Sequence, residues 1–418
     1  MVIPKSGLVL GATAVTLATI AVAGLGLHSK GQALFKQGPK EVIDEVWHII
    51  DRQYVDGTFN QVDWQAVRSQ YLSKSYSNKT EAYKAIREML KKLDDPYTRF
   101  MNPEEFRSLQ VDTSGELIGI GIQISQDEKT KKLVVIAPIE DTPAFKAGIL
   151  AKDIITKIDG TSTEGMDTNK AVSLIRGEAG TSVKLTIERS NQQKEFQINR
   201  NKIEIHPVRY SQKVSDAGNI GYIRLNQFSA NASKEMQTAI KNLEQKQVAG
   251  YVLDLRSNPG GLLFASVDIA RMWIDKGTIV STVDRQGVVD KQEANGRALT
   301  KKPLVILVDG GSASASEILS GALQDNKRAE LVGSQTFGKG LVQSVRGLDD
   351  GSGIAVTIAK YYTPSGRDIN KHGIHPDFVI NLNDAQRQDL NRDRTKIATQ
   401  ADPQYAKGVE VLKQHLGK

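Results

Sequence analysis

Residues 304–323 read Leu304-Val305-Ile306-Leu307-Val308-Asp309-Gly310-Gly311-Ser312-Ala313-Ser314-Ala315-Ser316-Glu317-Ile318-Leu319-Ser320-Gly321-Ala322-Leu323. The unbroken aliphatic run at the start suits a strand covered on both faces. Asp309-Gly310-Gly311 ends it with turn chemistry. Ile318, Leu319, Ala322 and Leu323 then recur at helical spacing. Strand, tight turn and helix in that order predict an α/β layer fold.

Working outward, residues 221–225, 251–255 and 354–359 read as further strands, and residues 233–243, 265–273 and 317–323 as helices. Ahead of this alternation, residues 116–197 are β-rich, with apolar runs at 118–124, 133–137, 154–158 and 183–187 and turns such as Asp159-Gly160. Further upstream the pattern is helical. Val42, Val46, Ile49 and Ile50 form one stripe, and Ala85, Ile86, Met89, Leu90 and Leu93 another. The last thirty or so residues are polar, with Val409, Val411 and Leu412 as a short apolar patch. These shifts predict an export segment at 1–30, a helical region at 40–109, a β-rich domain at 110–198, an α/β core at 203–385 and a helical tail at 386–418.

Composition excludes several chemistries. The 418 residues hold 55 Lys and Arg against 48 Asp and Glu, a net charge of +7. The charges are interspersed, not gathered into the basic groove that nucleic acid needs, so no nucleic-acid partner is expected. With no cysteine there is no thiol nucleophile, disulfide or Cys-ligated metal. The six histidines show no HExxH spacing, and neither a metal nor any other cofactor is expected.

At the N-terminus, Lys5 precedes an uncharged, mostly apolar stretch over residues 7–27, and Lys30, Lys36 and Lys40 follow it. That stretch is long enough to span a bilayer, and Ala21-Val22-Ala23 offers a small-residue cleavage site. Export is expected, by a cleaved signal or a retained anchor, and with it proximity to a membrane.

A serine on a strand-to-helix turn sits where backbone N–H groups are unpaired and the helix dipole is positive. Those donors suit an alkoxide and the oxyanion that follows it. Ser312, Ser314 and Ser316 all compete for that place, and Ser316 also reads as a helix cap. Several bases are open. His206, His372 or His375 with Asp254 or Asp377 would build a triad, although His206 and His375 each precede a proline. Lys339, in Thr336-Phe337-Gly338-Lys339-Gly340, is the alternative. A lysine serves as base only if burial lowers its pKa, and no acidic residue lies between Glu330 and Asp349 in the sequence. If 340–345 is a strand, even spacing puts Gln343 on the face of Lys339. Residues 333–339 also match the phosphate-loop pattern GxxxxGK, but Gly340 stands where that loop needs a magnesium-binding hydroxyl.

The chain resembles the carboxyl-terminal processing (tail-specific) proteases, peptidase family S41, in cyanobacterial and plastid form. The resemblance rests on residues 95–100 (DPYTRF), 119–122 (GIGI), 253–261 (LDLRSNPGG), 312–318, 337–343 and 361–366, in that order. It implies a ClpP/crotonase-like α/β core with an inserted β-rich PDZ domain and an N-terminal helical region. It puts the nucleophile at Ser314, the general base at Lys339 and the residue that positions the lysine at Gln343. It puts the oxyanion N–H donors at Ala315 and at Gly260 or Gly261, with Gly261 preferred. Gly119, Ile120, Gly121 and Ile122 become the loop that takes a peptide's terminal carboxylate. Expected partners are protein substrates with free C-termini, in a periplasm or thylakoid lumen, among them the photosystem II reaction-centre precursor tail. A PDZ scaffold that binds C-termini without turnover is the alternative.

Overall fold

The structure, a computed structural model, describes residues 20–21, 38–127, 130–139, 141–215 and 218–417. The predicted export segment, with its cleavage site, therefore lies outside the described residues save for Ile20–Ala21, which pair with residues 343–344 as a short parallel strand. No helix among the described residues is long and apolar enough to cross a membrane.

The fold's centre is a six-stranded sheet in the order Val208–Ser215, Gly218–Leu225, Gly250–Asp254, Leu304–Val308, Glu330–Gly333 and Phe378–Val379. The first pair is antiparallel and the rest are parallel. The two central strands, Gly250–Asp254 and Leu304–Val308, are buried on both faces, which explains their unbroken aliphatic runs. Leu253, Ile306, Val308 and Leu331 face the helices Ala232–Gln245, Leu263–Arg271 and Ala315–Asp325. Val252, Val305, Leu307 and Val332 face the other way, onto the helix Pro403–Leu416. The polar tail of the sequence is thus a covering layer of the core: Val409, Val411 and Leu412 are buried against the sheet.

A second sheet carries Leu341–Gly347 and Gly353–Tyr362, with Thr278–Asp284, Val289–Glu293 and Arg99–Met101. Residues of Gly353–Tyr362 alternate as a half-and-half strand should. Ala355, Ala359 and Tyr361 join the central core. Ile354 and Val356 pack under the helices Pro39–Gln53, Trp64–Leu72 and Lys79–Lys91, the first and third of which carry the two stripes read from sequence.

The β-rich stretch forms its own sheet, Ile122–Gln126, Leu133–Pro138, Ile154–Ile158, Ser182–Arg189 and Gln192–Asn199, around a separate apolar core. The single run expected at 118–124 is two strands. Gly121, at φ 81°, breaks it, so Glu116–Gly119 pairs with Asn201–Glu204 while Ile122–Gln126 pairs with Leu133–Pro138.

Three neighbouring parallel strands, Gly250–Asp254, Leu304–Val308 and Glu330–Gly333, release their chains at the same edge of the sheet. Their loops run through 256–261, 309–314 and 334–340. Carboxyl ends of parallel strands are where open α/β sheets place their sites. If the C-terminal helix is part of the core, Leu412→Ala should lower unfolding free energy by about 3 kcal/mol in a denaturant titration. An unchanged midpoint would instead mark the helix as a loosely attached tail.

Candidate active site

Ser314 sits just ahead of the Ala315–Asp325 helix with φ 59° and ψ −115°, a conformation that few side-chain-bearing residues adopt. Such strain costs on the order of 1–3 kcal/mol and persists only when the surroundings enforce it. Here they do. The Ser314 amide donates to Glu317 Oε2 (2.8 Å), the Ala313 amide to the Asn258 carbonyl (3.0 Å) and the Tyr361 hydroxyl to the Ser314 carbonyl (3.2 Å). The Ser314 hydroxyl itself is buried and has no hydrogen-bond partner among the described residues. The expectation that Ser316 caps the helix fails: Ser314 holds the cap position, and the Ser316 hydroxyl donates to the Asn258 carbonyl at 2.9 Å. That bond ties the serine turn to the glycine loop beside it.

In the glycine loop the Gly260 amide donates to Asn258 Oδ1 (2.9 Å), and Phe228 exchanges backbone bonds with Gly260 and Leu262. The Gly261 amide is left without a partner among the described residues, as is that of Ala315 at the first turn of the helix. Gly260 is needed for a different reason. At φ 102°, a Cβ there would lie 2.9 Å from both the Ser314 Cβ and the Ala315 amide. Any side chain at 260 would push the two loops apart.

Lys339 is buried, and its ammonium nitrogen lies 4.8 Å from the centre of the Tyr97 ring. Burial, assisted by the positive charge of Arg99, lowers its pKa from the usual lysine value to about 7, while Asp95 and Glu317 push it the other way. The acid-free stretch of sequence around Lys339 is therefore not acid-free in space. Desolvation nonetheless outweighs both carboxylates. The DPYTRF residues supply the aromatic face, one carboxylate and the opposing guanidinium, a task that their sequence alone did not disclose.

Glu317 is the residue that sequence reasoning passed over. Its side chain is fully buried, and one oxygen accepts from the amides of Ser314 (2.8 Å) and Lys339 (2.9 Å). The other accepts from the Gly338 amide (2.7 Å) and the Thr336 hydroxyl (2.5 Å). Burial raises its pKa against those donors, yet four inward donors suit an acceptor-only carboxylate. A capping-box glutamate three residues into a helix was the available signal.

Gln343 is buried near the lysine loop, but the spacing argument for it needs correction. The strand begins at Leu341, after Lys339, and its register shifts between Val342 and Gln343. Counting by twos does not survive a bulge. Gln343 Nε2 donates to Thr357 Oγ1 (3.3 Å), which donates to Asp95 (2.6 Å), and Gln343 Oε1 has no partner among the described residues.

None of the histidine alternatives bonds the Ser314 hydroxyl. His206 pairs with Glu235 (2.7 Å), His375 Nδ1 lies against its own Pro376 carbonyl, and the His372 carbonyl takes a bond from Gln335. The phosphate-loop reading also falls, because a strand follows Lys339 where that loop needs a helix. Away from this site, Gly119, Ile120, Gly121 and Ile122 line a groove of about 110 Å³ with Arg176 at its side. The adjacent strand Ile122–Gln126 stands at the end of its sheet's order.

Comparisons with known proteins agree with the motifs. Peptidase family S41 matches residues 219–380, a PDZ domain residues 118–199 and the tricorn protease C1 domain residues 35–91. The carboxyl-terminal-processing protease of Synechocystis is 46% identical over 376 residues, which cover 89% of this chain and 86% of that one. The chloroplastic C-terminal processing peptidase of Tetradesmus obliquus is 41% identical, over 80% of this chain and 76% of its own. A solved photosystem II D1 C-terminal processing protease is 40% identical with a TM-score of 0.56, covering 83% of this chain and 94% of that one.

The lysine's surroundings make a prediction independent of activity. In protein labelled at lysine Cε, the NMR signal of Lys339 should titrate near pH 7, and Arg99→Met should move that midpoint upward. A wild-type midpoint near 10, where ordinary lysines titrate, would contradict this account of the site.

Proposed function

The chain belongs to the carboxyl-terminal-processing proteases of peptidase family S41, and on that premise we propose that Ser314 is its nucleophile and Lys339 its general base. The chain is a serine-type C-terminal processing peptidase with a PDZ domain. The residue assignment is supported by a strained serine whose hydroxyl has no partner among the described residues, and by a buried lysine of pKa near 7 whose amide shares Glu317 Oε2 with that of the serine.

A neutral Lys339 amine takes the Ser314 proton as the oxygen attacks the scissile carbonyl. The amides of Ala315 and Gly261 receive the oxyanion. Lys339 then returns the proton to the departing amine, and water hydrolyses the acyl-enzyme by the same route. Ser314 Oγ has no hydrogen-bond partner among the described residues, and in this reading its bond to Lys339 forms when substrate binds, as catalytic contacts in free enzymes are often long and tighten only in the complex. Gln343 positions the amine, and its Oε1, without a partner among the described residues, is the acceptor available for that task.

The substrate's C-terminus enters the groove at Gly119, Ile120, Gly121 and Ile122, adding a strand beside Ile122–Gln126. In this reading residues 40–109 are the helical region, 110–198 the PDZ domain, 203–385 the protease core and 386–418 the C-terminal helices. Residues 1–30 direct export to a periplasm or thylakoid lumen, close to membrane-protein substrates. Likeness to the D1 processing protease makes the photosystem II D1 precursor tail the first substrate to try.

Ser314→Ala and Lys339→Ala should each reduce cleavage of a tailed protein about a thousandfold or more, with binding of its C-terminal peptide retained. For the wild type, kcat/KM should rise with pH through an apparent pKa near 7 as Lys339 loses its proton. Full turnover by Lys339→Ala would overturn the Ser/Lys assignment.

A further inference from the structure

Behind the glycine loop lies a buried ionic cluster that the proposed mechanism does not use. Asp254 and Asp402 are wholly buried and Arg256 nearly so. Arg256 Nε and Nη2 donate to Asp254 (2.9 and 2.7 Å), while Nη1 and Nη2 donate to Asp402 (2.9 and 2.7 Å). Nη1 also reaches Gln404 Oε1 at 3.1 Å, and Tyr222 donates to Asp254 at 2.7 Å. One guanidinium is thus gripped by two carboxylates, each in the bidentate geometry that fixes a fork in place. Asp254 and Arg256 belong to the strand end, but Asp402 comes from the start of the C-terminal helix, beyond the residues that match the family.

We propose that Asp402 is a positioning residue for the oxyanion-binding loop, acting through Arg256. The inference rests on the reading of Gly261 as an oxyanion donor. Arg256 opens the loop, and three residues after it hold positive φ: Ser257 at 57°, Gly260 at 102° and Gly261 at 140°. A loop so composed does not hold its shape by local preference, and Ser257 resists it. Its shape is imposed from two sides. On the solvent side the Ser257 amide donates to Asp309 Oδ1 (2.8 Å), which also accepts from Gly311 in the serine turn. On the buried side, Asp402 pulls Arg256 against the helix Pro403–Leu416 and fixes where the loop begins. An oxyanion donor displaced by a fraction of an ångström no longer meets the developing charge. The C-terminal helix thereby contributes to catalysis without approaching the substrate.

A purely structural staple would also hold the helix to the sheet, so the test must separate the two roles. Asp402 caps the helix by accepting from the Tyr405 amide (3.3 Å). Asp402→Ser keeps a competent cap but cannot grip Arg256 bidentately. With a tailed protein substrate, well below the melting temperature, kcat should fall about tenfold or more while KM stays within twofold. Affinity for a peptide boronate, which mimics the tetrahedral intermediate, should fall by the same factor as kcat/KM. Asp402→Asn, of the same shape and with one acceptor retained, should lie between wild type and Asp402→Ser, and it carries the test if the serine variant does not fold. A lowered melting temperature with kcat and boronate affinity unchanged would overturn the proposal and leave a staple. Ser314→Ala run in parallel keeps the two readings apart. If it still cleaves, the nucleophile assignment has failed; if it is inactive while Asp402→Ser matches wild type, only the role of Asp402 has.

Discussion

A single buried carboxylate sets the geometry on which this site depends. Strand pairing delivers the serine turn and the lysine loop to the same edge of the sheet, but it does not fix one relative to the other. Glu317 does, accepting from the backbone of Ser314 on one side and of Gly338 and Lys339 on the other. Hydrogen bonds to a charged group contribute about 1.5–3 kcal/mol each. Four of them exceed the strain on the order of 1–3 kcal/mol held at Ser314. An amide at 317 would aim its NH2 at donors, so the acid is required for its acceptors and not merely its shape.

That same carboxylate creates a difficulty for the base, because a negative charge nearby favours a protonated lysine. The fold answers it by burial. The Lys339 amine lies over the Tyr97 ring in a desolvated pocket, and the Arg99 charge offsets part of the pull of Asp95 and Glu317. The balance sets the lysine near neutrality, where a base both accepts and returns a proton effectively.

Much of this was legible in the residues. The aliphatic runs at 304–308 and 251–255 announced strands buried on both faces, and the observed strands Leu304–Val308 and Gly250–Asp254 agree to within a residue. The helical stripes of the N-terminal region were readable for the same reason, since local periodicity reports a buried face. What stayed hidden was long-range. Nothing local says that Tyr97 lies under Lys339, or that Asp402 reaches Arg256. The C-terminal helix looked like a polar tail because its apolar face is short, although that face covers the sheet. The even-spacing argument for Gln343 broke on a register shift that only strand pairing reveals. Glu317 was visible as a capping residue, but its contacts with the lysine loop belong to tertiary structure.

The central claim is that a neutral Lys339 activates Ser314 for covalent attack. It is tested most directly by trapping the covalent enzyme. After a fluorophosphonate reaction at pH 8, peptide mass spectrometry should find the adduct on Ser314 in the wild type. Labelling should fade as pH falls below the lysine's pKa near 7 and be nearly absent in Lys339→Ala. An adduct on another residue, or undiminished labelling of Ser314 without the lysine, would contradict the account.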